Sequence, residues 1–312
     1  MADQGSITPA APLSAPPAAR RFARLGDRGL AGLFITPGLA LLLFLSIFPL
    51  LWAVYLSFTD YSATRDVPAQ WVGFDNYIDV LTSGAVHERA LTTALYVVGA
   101  VGLQTLLGFS IAYLISRRLR GRGLMTTLFL LPMMLSPVVV GLFWRFMLDT
   151  QFGVVNSLLG SLGLGSVEWL TQERTALLSL IVVDTWQWTP FIMLIALAGL
   201  TAVPRYLYEA ASIDRASEWF RFRNITLPLV WPLLLIAVLF RAIEAFRLFD
   251  LVYILTNGGP GVSTETLSFH VYKVAFLGFD TGTASAYGIL MVLVVIVLAQ
   301  FYLRYLEKLR EA

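Results

Sequence analysis

Residues 29–58 read GLAGLFITPGLALLLFLSIFPLLWAVYLSF, and no Asp, Glu, Lys or Arg interrupts them. A helix needs about 20 predominantly apolar residues to cross the hydrocarbon core of a bilayer. The composition of the whole chain agrees, because 57% of its 312 residues are hydrophobic and only 13% are charged. Soluble domains have about 45–50% and about 25% of these two classes. The sequence therefore predicts an integral membrane protein.

Five further apolar stretches of similar length follow the first. The six predicted spans are residues 29–58, 90–115, 124–147, 176–199, 225–250 and 283–304. Several of them contain proline, which a helix bundle tolerates because neighbouring helices can satisfy the freed carbonyl groups. A continuous β pattern is absent. The predicted fold class is all-α, a polytopic membrane protein with six transmembrane helices.

Positive charges are distributed unevenly between the predicted loops. Four clusters lie before span one, between spans two and three, between spans four and five, and after span six: Arg20, Arg21, Arg24, Arg28; Arg117, Arg118, Arg120, Arg122; Arg205, Arg215, Arg221, Arg223; and Arg304, Lys308, Arg310. Cytoplasmic loops carry such an excess, so we expect both termini in the cytoplasm. Residues 1–28 are expected to be a disordered cytoplasmic tail, residues 29–304 the membrane domain, and residues 305–312 a second cytoplasmic tail.

Several classes of chemistry lack the residues that they need. The net charge is only +2 and cysteine is absent, which argues against a nucleic-acid partner and excludes thiolate metal sites. No Gly-Lys-Ser/Thr motif is present, so the chain lacks the phosphate-binding loop of an ATPase. We expect no catalytic residue, metal or cofactor in this chain. The alternative function is an ion-coupled secondary transporter of a polar solute, although such carriers usually show internal repeats, and we see no clear repeat.

Residues 204–228, between spans four and five, predict a compact loop of two short helices. Pro204 can begin the first helix, because no amide donor is lost at that position. The second helix is expected over residues 218–222. Ala210 and Ala211 are expected at an exposed elbow (residues 209–216), where a partner could approach closely. The alternative is an amphipathic helix at the membrane surface, with its arginines on anionic membrane lipid.

The same loop resembles the EAA loop of ABC-importer permeases. The matching residues are Glu209, Ala210, Ala211, Asp214, Ala216, Ile225, Leu227 and Pro228. Residues 71–77, 246–260 and 282–286 are similar to the carbohydrate-uptake branch of that family. The resemblance covers about residues 30–305 in family order, and it implies the type I importer (MetI-like) permease fold.

The resemblance also implies how the loop acts and which partners it needs. It implies that the loop docks into a separate ATP-hydrolysing subunit, through coupling residues Glu209, Ala210, Ala211, Asp214, Arg215 and Ala216. Two copies of that ATPase, which bind ATP and Mg, a second related permease subunit, and an extracytoplasmic solute-binding protein are implied as partners. The cargo would be a sugar or polyol, and the location a bacterial-type plasma (inner) membrane.

Arg215 stands where the family usually has Gly. If this turn needs a positive φ, a residue other than Gly costs about 1–2 kcal/mol there. Either the turn differs from the family, or Arg215 contacts the partner.

Charged and aromatic residues within the spans are candidates for the substrate pathway. They are Asp184, Trp186, Trp188, Glu244, Arg247, Asp250 and Tyr287. Intramembrane carboxylates usually face a cavity or a partner, and aromatic faces beside polar groups suit sugars. Two structural alternatives stay open: Asp184 as an ion-pair partner within a tryptophan belt, and Arg241, Glu244, Arg247 and Asp250 as a self-neutralising ladder at three-residue spacing. His87 and His270 are assigned no role.

Overall fold

The computed structural model describes residues 27–117 and 121–311. The tail predicted for residues 1–28 therefore lies almost entirely outside the described residues, as do Arg118 and Arg120. The chain divides into two units, Met1–Tyr55 and Leu56–Ala312. In the first unit, residues 27–55 are helical, and the second unit contains all the elements on which the following sections depend.

The described residues form a succession of α-helices. Their bounds are α1 Asp27–Ser57, α2 Asp75–Thr82, α3 Gly84–Ser116, α4 Arg122–Leu130, α5 Pro137–Met147, α6 Val154–Ser161, α7 Glu173–Ala202, α8 Arg205–Ile213, α9 Glu218–Arg221, α10 Leu227–Phe246, α11 Asp250–Leu255, α12 Leu267–Tyr272 and α13 Thr281–Glu311. A 3₁₀ turn covers Pro132–Met134, and π-helical turns cover Phe222–Thr226 and Lys273–Leu277. Strand-like pairing in these residues is confined to two isolated β-bridges, so the all-α class is confirmed.

Five helical stretches of the described chain are long and apolar enough to cross a membrane. They are Ala31–Ser57, Gly84–Ser116, Glu173–Ala202, Glu218–Phe246 and Thr281–Lys308. They correspond to predicted spans one, two, four, five and six. The last helix continues to Glu311, so the predicted C-terminal tail, residues 305–312, extends this helix through residue 311.

The predicted third span, residues 124–147, differs from the prediction because it is not one helix. Proline has no amide hydrogen and disfavours helical backbone in the residue before it. Ser136, which precedes Pro137, is accordingly extended with ψ 140°. Leu135 is also extended, with ψ 143°, and the two residues separate the 3₁₀ turn after α4 from α5. The Gln187 side chain donates to the freed carbonyl of Leu135 at 3.2 Å. A neighbouring helix thus satisfies one carbonyl group at the break.

Helices α3 and α7 form the centre of the second unit and run parallel to each other. Gly99 faces Ile181, and Gly108 faces Ile192 further along both helices. A Cβ atom at Gly108 would lie 2.9 Å from the Ile192 Cβ, so this glycine permits a close approach of the two helices. Small residues serve this purpose at helix contacts within membranes.

Helix α10 packs against the same pair in the opposite direction. Val230, near its start, contacts Gly199 at the end of α7, whereas Arg241, near its end, contacts Gln104 and Asp184 in the middle of α3 and α7. The ends of α3 and α7 and the start of α10 therefore lie together. This end carries Arg117 and residues 204–228, and we call it the arginine-rich end.

Candidate functional site

The elbow is the end of α8 and the turn that follows. The amide of Ala216 donates to the Ala211 carbonyl at 2.9 Å, and the amide of Arg215 donates to the Ser212 carbonyl at 3.2 Å. These two bonds define a Schellman motif, whose last turn residue adopts the left-handed conformation. That residue is Arg215, with φ 54°. The turn therefore does need a positive φ, and contact of Arg215 with a partner stays a prediction.

Exposure within the elbow differs from the prediction at one position. Glu209, Ala210, Asp214 and Arg215 are exposed and Ala216 is half-buried, but Ala211 is only 8% exposed. Ala211 therefore packs on the inner side of the helix. The prediction that Ala211 belongs to the accessible surface of the elbow is wrong. A large residue at position 211 would therefore disrupt the packing of this chain itself, and its effect would not report on contact with a partner.

Ile213 is an exposed residue of the elbow that the sequence reasoning missed. Its side chain is 83% exposed, although it is fully apolar. An exposed isoleucine beside Ala210 and Glu209 gives the elbow an apolar contact surface. The available signal was its position, because it is the last residue of α8.

Replacing Arg215 with glycine should stabilise the chain by up to about 1.5 kcal/mol. The left-handed conformation costs about 1–2 kcal/mol for a residue with a Cβ atom, and the extra backbone entropy of glycine cancels about 0.5–1 kcal/mol of that gain. The free energy of unfolding in detergent tests this, with Ser212→Gly as a control, because a glycine inside the same helix should destabilise it. A loss of stability in Arg215→Gly would contradict the left-handed turn.

A second set of predicted residues lies in the middle of the bundle, around a buried ion pair. Arg241 donates from Nη2 to Asp184 Oδ2 at 2.9 Å, and the side chains of both residues are at most 4% exposed. Gln104 closes the network, because its Nε2 donates to the same Asp184 oxygen at 2.7 Å and its Oε1 accepts from Arg241 Nε at 2.9 Å. The structural alternative for Asp184 is therefore observed: it is an ion-pair partner.

The ion pair also forms part of the wall of a small polar cavity of about 110 Å³. Five predicted pathway residues line this cavity: Asp184, Trp188, Glu244, Arg247 and Asp250. The Arg241 guanidinium lies 4.8 Å from the centre of the Trp188 ring, so one face of that indole is covered. The residues that offer free polar groups to the cavity are the exposed Glu244, Arg247 and Asp250.

The predicted charge ladder on span five is absent. Helix α10 ends at Phe246, so Arg247 and Asp250 do not continue its surface, and Arg241 pairs with Asp184 instead of Glu244. No ion pair joins Glu244, Arg247 or Asp250 to another described residue. Their charges are therefore available to water or to a solute.

Trp186 and Tyr287 lie away from this cavity. Trp186 packs its ring 5.5 Å from Trp144 and 6.5 Å from Phe143, on the side of α7 opposite Trp188, because residues two apart on a helix point in nearly opposite directions. Tyr287 places its hydroxyl 3.3 Å from His270 Nε2. The seven pathway candidates thus separate into one group of five and two single residues.

A cluster around Glu265, opposite the arginine-rich end, was not predicted. The Glu265 carboxylate is 1% exposed and lies within 2.8 Å of Arg89 Nε, His270 Nδ1 and Lys273 Nζ. Burial raises the pKa of Glu265, but hydrogen bonds from His270, Lys273 and Arg89 outweigh it and lower the pKa from 4.5 to about 2. Residue 89 is 176 positions from Glu265, so no local pattern indicated the cluster.

The Glu265 cluster should make stability depend on pH in acid. Its folded-state pKa lies below the ordinary value, so its contribution should be complete above about pH 4.5 and be lost as the pH falls towards 2. Glu265→Gln should be less stable than the unchanged chain at pH 7 and should lose less on acidification. Melting temperatures between pH 7 and pH 3 test this, with the exposed Glu173→Gln as the control. Equal pH profiles for the unchanged chain and Glu265→Gln would contradict it.

Comparison with known proteins agrees with this architecture. Residues 104–311 match the family model "Binding-protein-dependent transport system inner membrane component". The chain is 36% identical over 273 residues to the trehalose/maltose transport system permease protein MalF of Thermococcus litoralis, covering 87% of this chain and 92% of the relative. It is 34% identical to the sulfoquinovosyl glycerol transport system permease protein SmoG of Agrobacterium fabrum, over 91% and 92% of the two chains.

The trehalose transport system permease protein SugA of Mycobacterium tuberculosis is 30% identical to the chain over 91% of each. Among solved structures, a chain of a bacterial ABC transporter involved in the import of the acidic polysaccharide alginate superposes with a TM-score of 0.80. That match has 22% identity and covers 93% of this chain and 99% of the other. It confirms the importer permease fold, and the family favours an importer permease over the ion-coupled carrier. The chain is a multi-pass membrane protein and belongs to the family of binding-protein-dependent transport system inner membrane components.

Proposed function

We propose that this chain forms half of the translocation pathway for a sugar or related solute in an ATP-driven importer. Relatives named for trehalose, maltose and sulfoquinovosyl glycerol transport support the substrate class. The observation that carries the mechanism is the connection between the elbow and the polar cavity. A continuous helical stretch, Glu218–Phe246, joins them.

This stretch can transmit motion because it is helical throughout. It begins just after the elbow and carries Arg241, about 30 Å away from Arg221 at 1.5 Å per residue. Displacing the elbow would tilt α10 and move Arg241 against Asp184 and Gln104. The cavity wall would then change shape, and the pathway would open alternately to the two sides of the membrane.

The cavity residues have groups that suit a polyhydroxylated solute. Glu244 and Asp250 can accept hydrogen bonds from sugar hydroxyls, and Arg247 can donate to them. Since these side chains are exposed and form no ion pair with a residue that the structure describes, a solute could bind them without breaking the buried ion pair. Asp184, in contrast, holds α7 against α10 and shapes the cavity.

If the elbow couples this chain to ATP hydrolysis, the chain needs several partner subunits. Glu209, Ala210, Ile213, Asp214 and Arg215 would contact an ATPase subunit, with Ala211 and Ala216 supporting them. Two copies of that ATPase would bind ATP and Mg, a second related permease would supply the other half of the pathway, and an extracytoplasmic protein would deliver the solute. Both termini would lie in the cytoplasm together with the arginine-rich end, because cytoplasmic segments of membrane proteins carry an excess of Lys and Arg.

Reconstitution tests this proposal. The chain, co-expressed with candidate ATPase and second permease subunits from its source organism and reconstituted into proteoliposomes, should retain both of these subunits. With the binding protein and labelled trehalose or maltose, uptake should require ATP and persist when a protonophore is added. Accumulation by the purified single chain, driven by an ion gradient, would contradict the proposal.

A further inference from the structure

We propose that the arginine-rich end contains a binding site for one anionic phospholipid, between the end of α3 and the loop 204–228. The phosphate of the headgroup would lie in a basic pocket and one acyl chain in an adjoining apolar groove. None of the exposed elbow residues lines the pocket or the groove, so the lipid site does not use the residues proposed to contact the ATPase.

The basic pocket is a cavity of about 550 Å³ at the junction of the C-terminal ends of α3 and α7 with α4, α8 and α9. Four arginines line it: Arg117, which follows the end of α3, and Arg122, Arg205 and Arg221, which lie in α4, α8 and α9. Glu218 is the one carboxylate among the described lining residues, so three positive charges remain in excess. A cavity of this size holds a small ligand, and basic pockets between helices at the cytoplasmic side bind lipid headgroups.

Two of the four arginines are already paired, and two are not. Glu218 accepts from Arg117 Nη2 at 3.0 Å and from Arg221 Nη1 at 3.1 Å, which fixes α9 to the end of α3. Among the described residues, no carboxylate lies within 4.0 Å of the side-chain nitrogens of Arg122 or Arg205. These two guanidinium groups can therefore take a phosphate without breaking an existing pair.

The apolar groove, of about 540 Å³, adjoins the basic pocket. The two share the lining residues Tyr113, Arg117, Glu218 and Phe222. The groove follows one face of α3 and ends at Arg117, because the α3 residues that line it recur at helical spacing: Leu106, Phe109, Ser110, Tyr113 and Leu114. Trp219 and Phe222 close its end beside the pocket.

The length of the groove matches one leaflet. Leu106 and Arg117 are eleven residues apart, which corresponds to about 16 Å along a helix, and half of a hydrocarbon core is about 15 Å. A basic pocket at the surface and an apolar groove of leaflet depth below it suit an amphipathic anion. A soluble phosphate would leave the groove empty.

Lipid titration of the assembled transporter, by native mass spectrometry after delipidation, tests the site. Phosphatidylglycerol should bind at least tenfold more tightly than phosphatidylcholine with the same acyl chains. Each basic residue contributes about fivefold to binding at an anionic surface, so Arg122→Gln with Arg205→Gln should weaken phosphatidylglycerol binding by about 30-fold. Arg65→Gln with Arg174→Gln, which removes the same charge from exposed positions elsewhere, should leave it unchanged.

A second pair of measurements distinguishes lipid from free phosphate. Ser110→Trp should fill the groove and weaken phosphatidylglycerol binding, and millimolar glycerol phosphate should not displace the lipid. Equal binding of the two lipids, equal losses in the two arginine double variants, or no lipid binding because a partner subunit covers the groove would each overturn the proposal. Displacement by glycerol phosphate with no effect of Ser110→Trp would also overturn it, in favour of a soluble anion.

Discussion

Replacing Arg241 with methionine should destabilise the chain by about 3 kcal/mol. The substitution leaves the Asp184 carboxylate buried with Gln104 as its remaining side-chain donor among the hydrogen bonds described above. Breaking a buried ion pair from one side costs about 3–5 kcal/mol, and an isolated aspartate inside a membrane helix costs about 2.5–3.5 kcal/mol. Unfolding of the purified chain by increasing fractions of denaturing detergent measures this change.

The double variant Asp184→Asn with Arg241→Met separates lost pairing from lost packing. It removes both charges and leaves an amide that can still pair with Gln104, so it should recover most of the lost stability. If the double variant were as unstable as Arg241→Met alone, the cost would come from packing around Arg241, and the ion-pair argument would be contradicted.

Reversing the charge at Glu209 should reduce ATP-dependent uptake at least tenfold. Glu209 is exposed on the elbow, so Glu209→Lys should leave the folded chain intact while placing a like charge against any basic contact on the ATPase. Uptake into proteoliposomes and the amount of chain in the membrane are measured together, so that failed coupling is distinguished from failed folding.

Further variants test whether the loss of uptake is specific to the exposed surface of the elbow. Ala210→Trp adds bulk to an exposed elbow residue and should also abolish uptake, whereas Ala211→Trp would act through the interior of the chain, because Ala211 is buried. Asp66→Lys makes the same charge change at an exposed residue of another loop and should transport normally. Full uptake by both Glu209→Lys and Ala210→Trp would contradict the coupling role.

The sequence predicted those features that depend on local pattern. Five of the six spans correspond to long apolar helices, because hydrophobic length depends on neighbouring residues alone. The helix, turn and second helix of residues 204–228 were also predicted, because Pro204 and the residues that follow it form a local pattern. The family usually has glycine at position 215, so a turn with a positive φ could be considered there from the sequence. The structure has this turn, with a positive φ at Arg215.

Features that depend on distant residues could not be predicted. Asp184 is paired with Arg241, 57 positions away, and Glu265 with Arg89, 176 positions away. The charge ladder failed because α10 ends at Phe246, a boundary that the three-residue spacing does not reveal. The third span was expected to be continuous, yet the extended Leu135 and Ser136 divide it before Pro137. The Leu135 carbonyl at this break accepts a hydrogen bond from Gln187 on another helix, a partner that the local sequence does not reveal.

The cysteine-free sequence permits a direct test of the central claim, that force from an ATPase reaches this chain at an elbow on the cytoplasmic side. Single cysteines are placed at Ile213, which is 83% exposed, and at Asp66, and intact cells are treated with a membrane-impermeant maleimide. Asp66→Cys should be labelled from outside, whereas Ile213→Cys should be protected and should cross-link to the ATPase subunit in isolated membranes. Labelling of Ile213→Cys from outside, with no cross-link to the ATPase, would contradict the account.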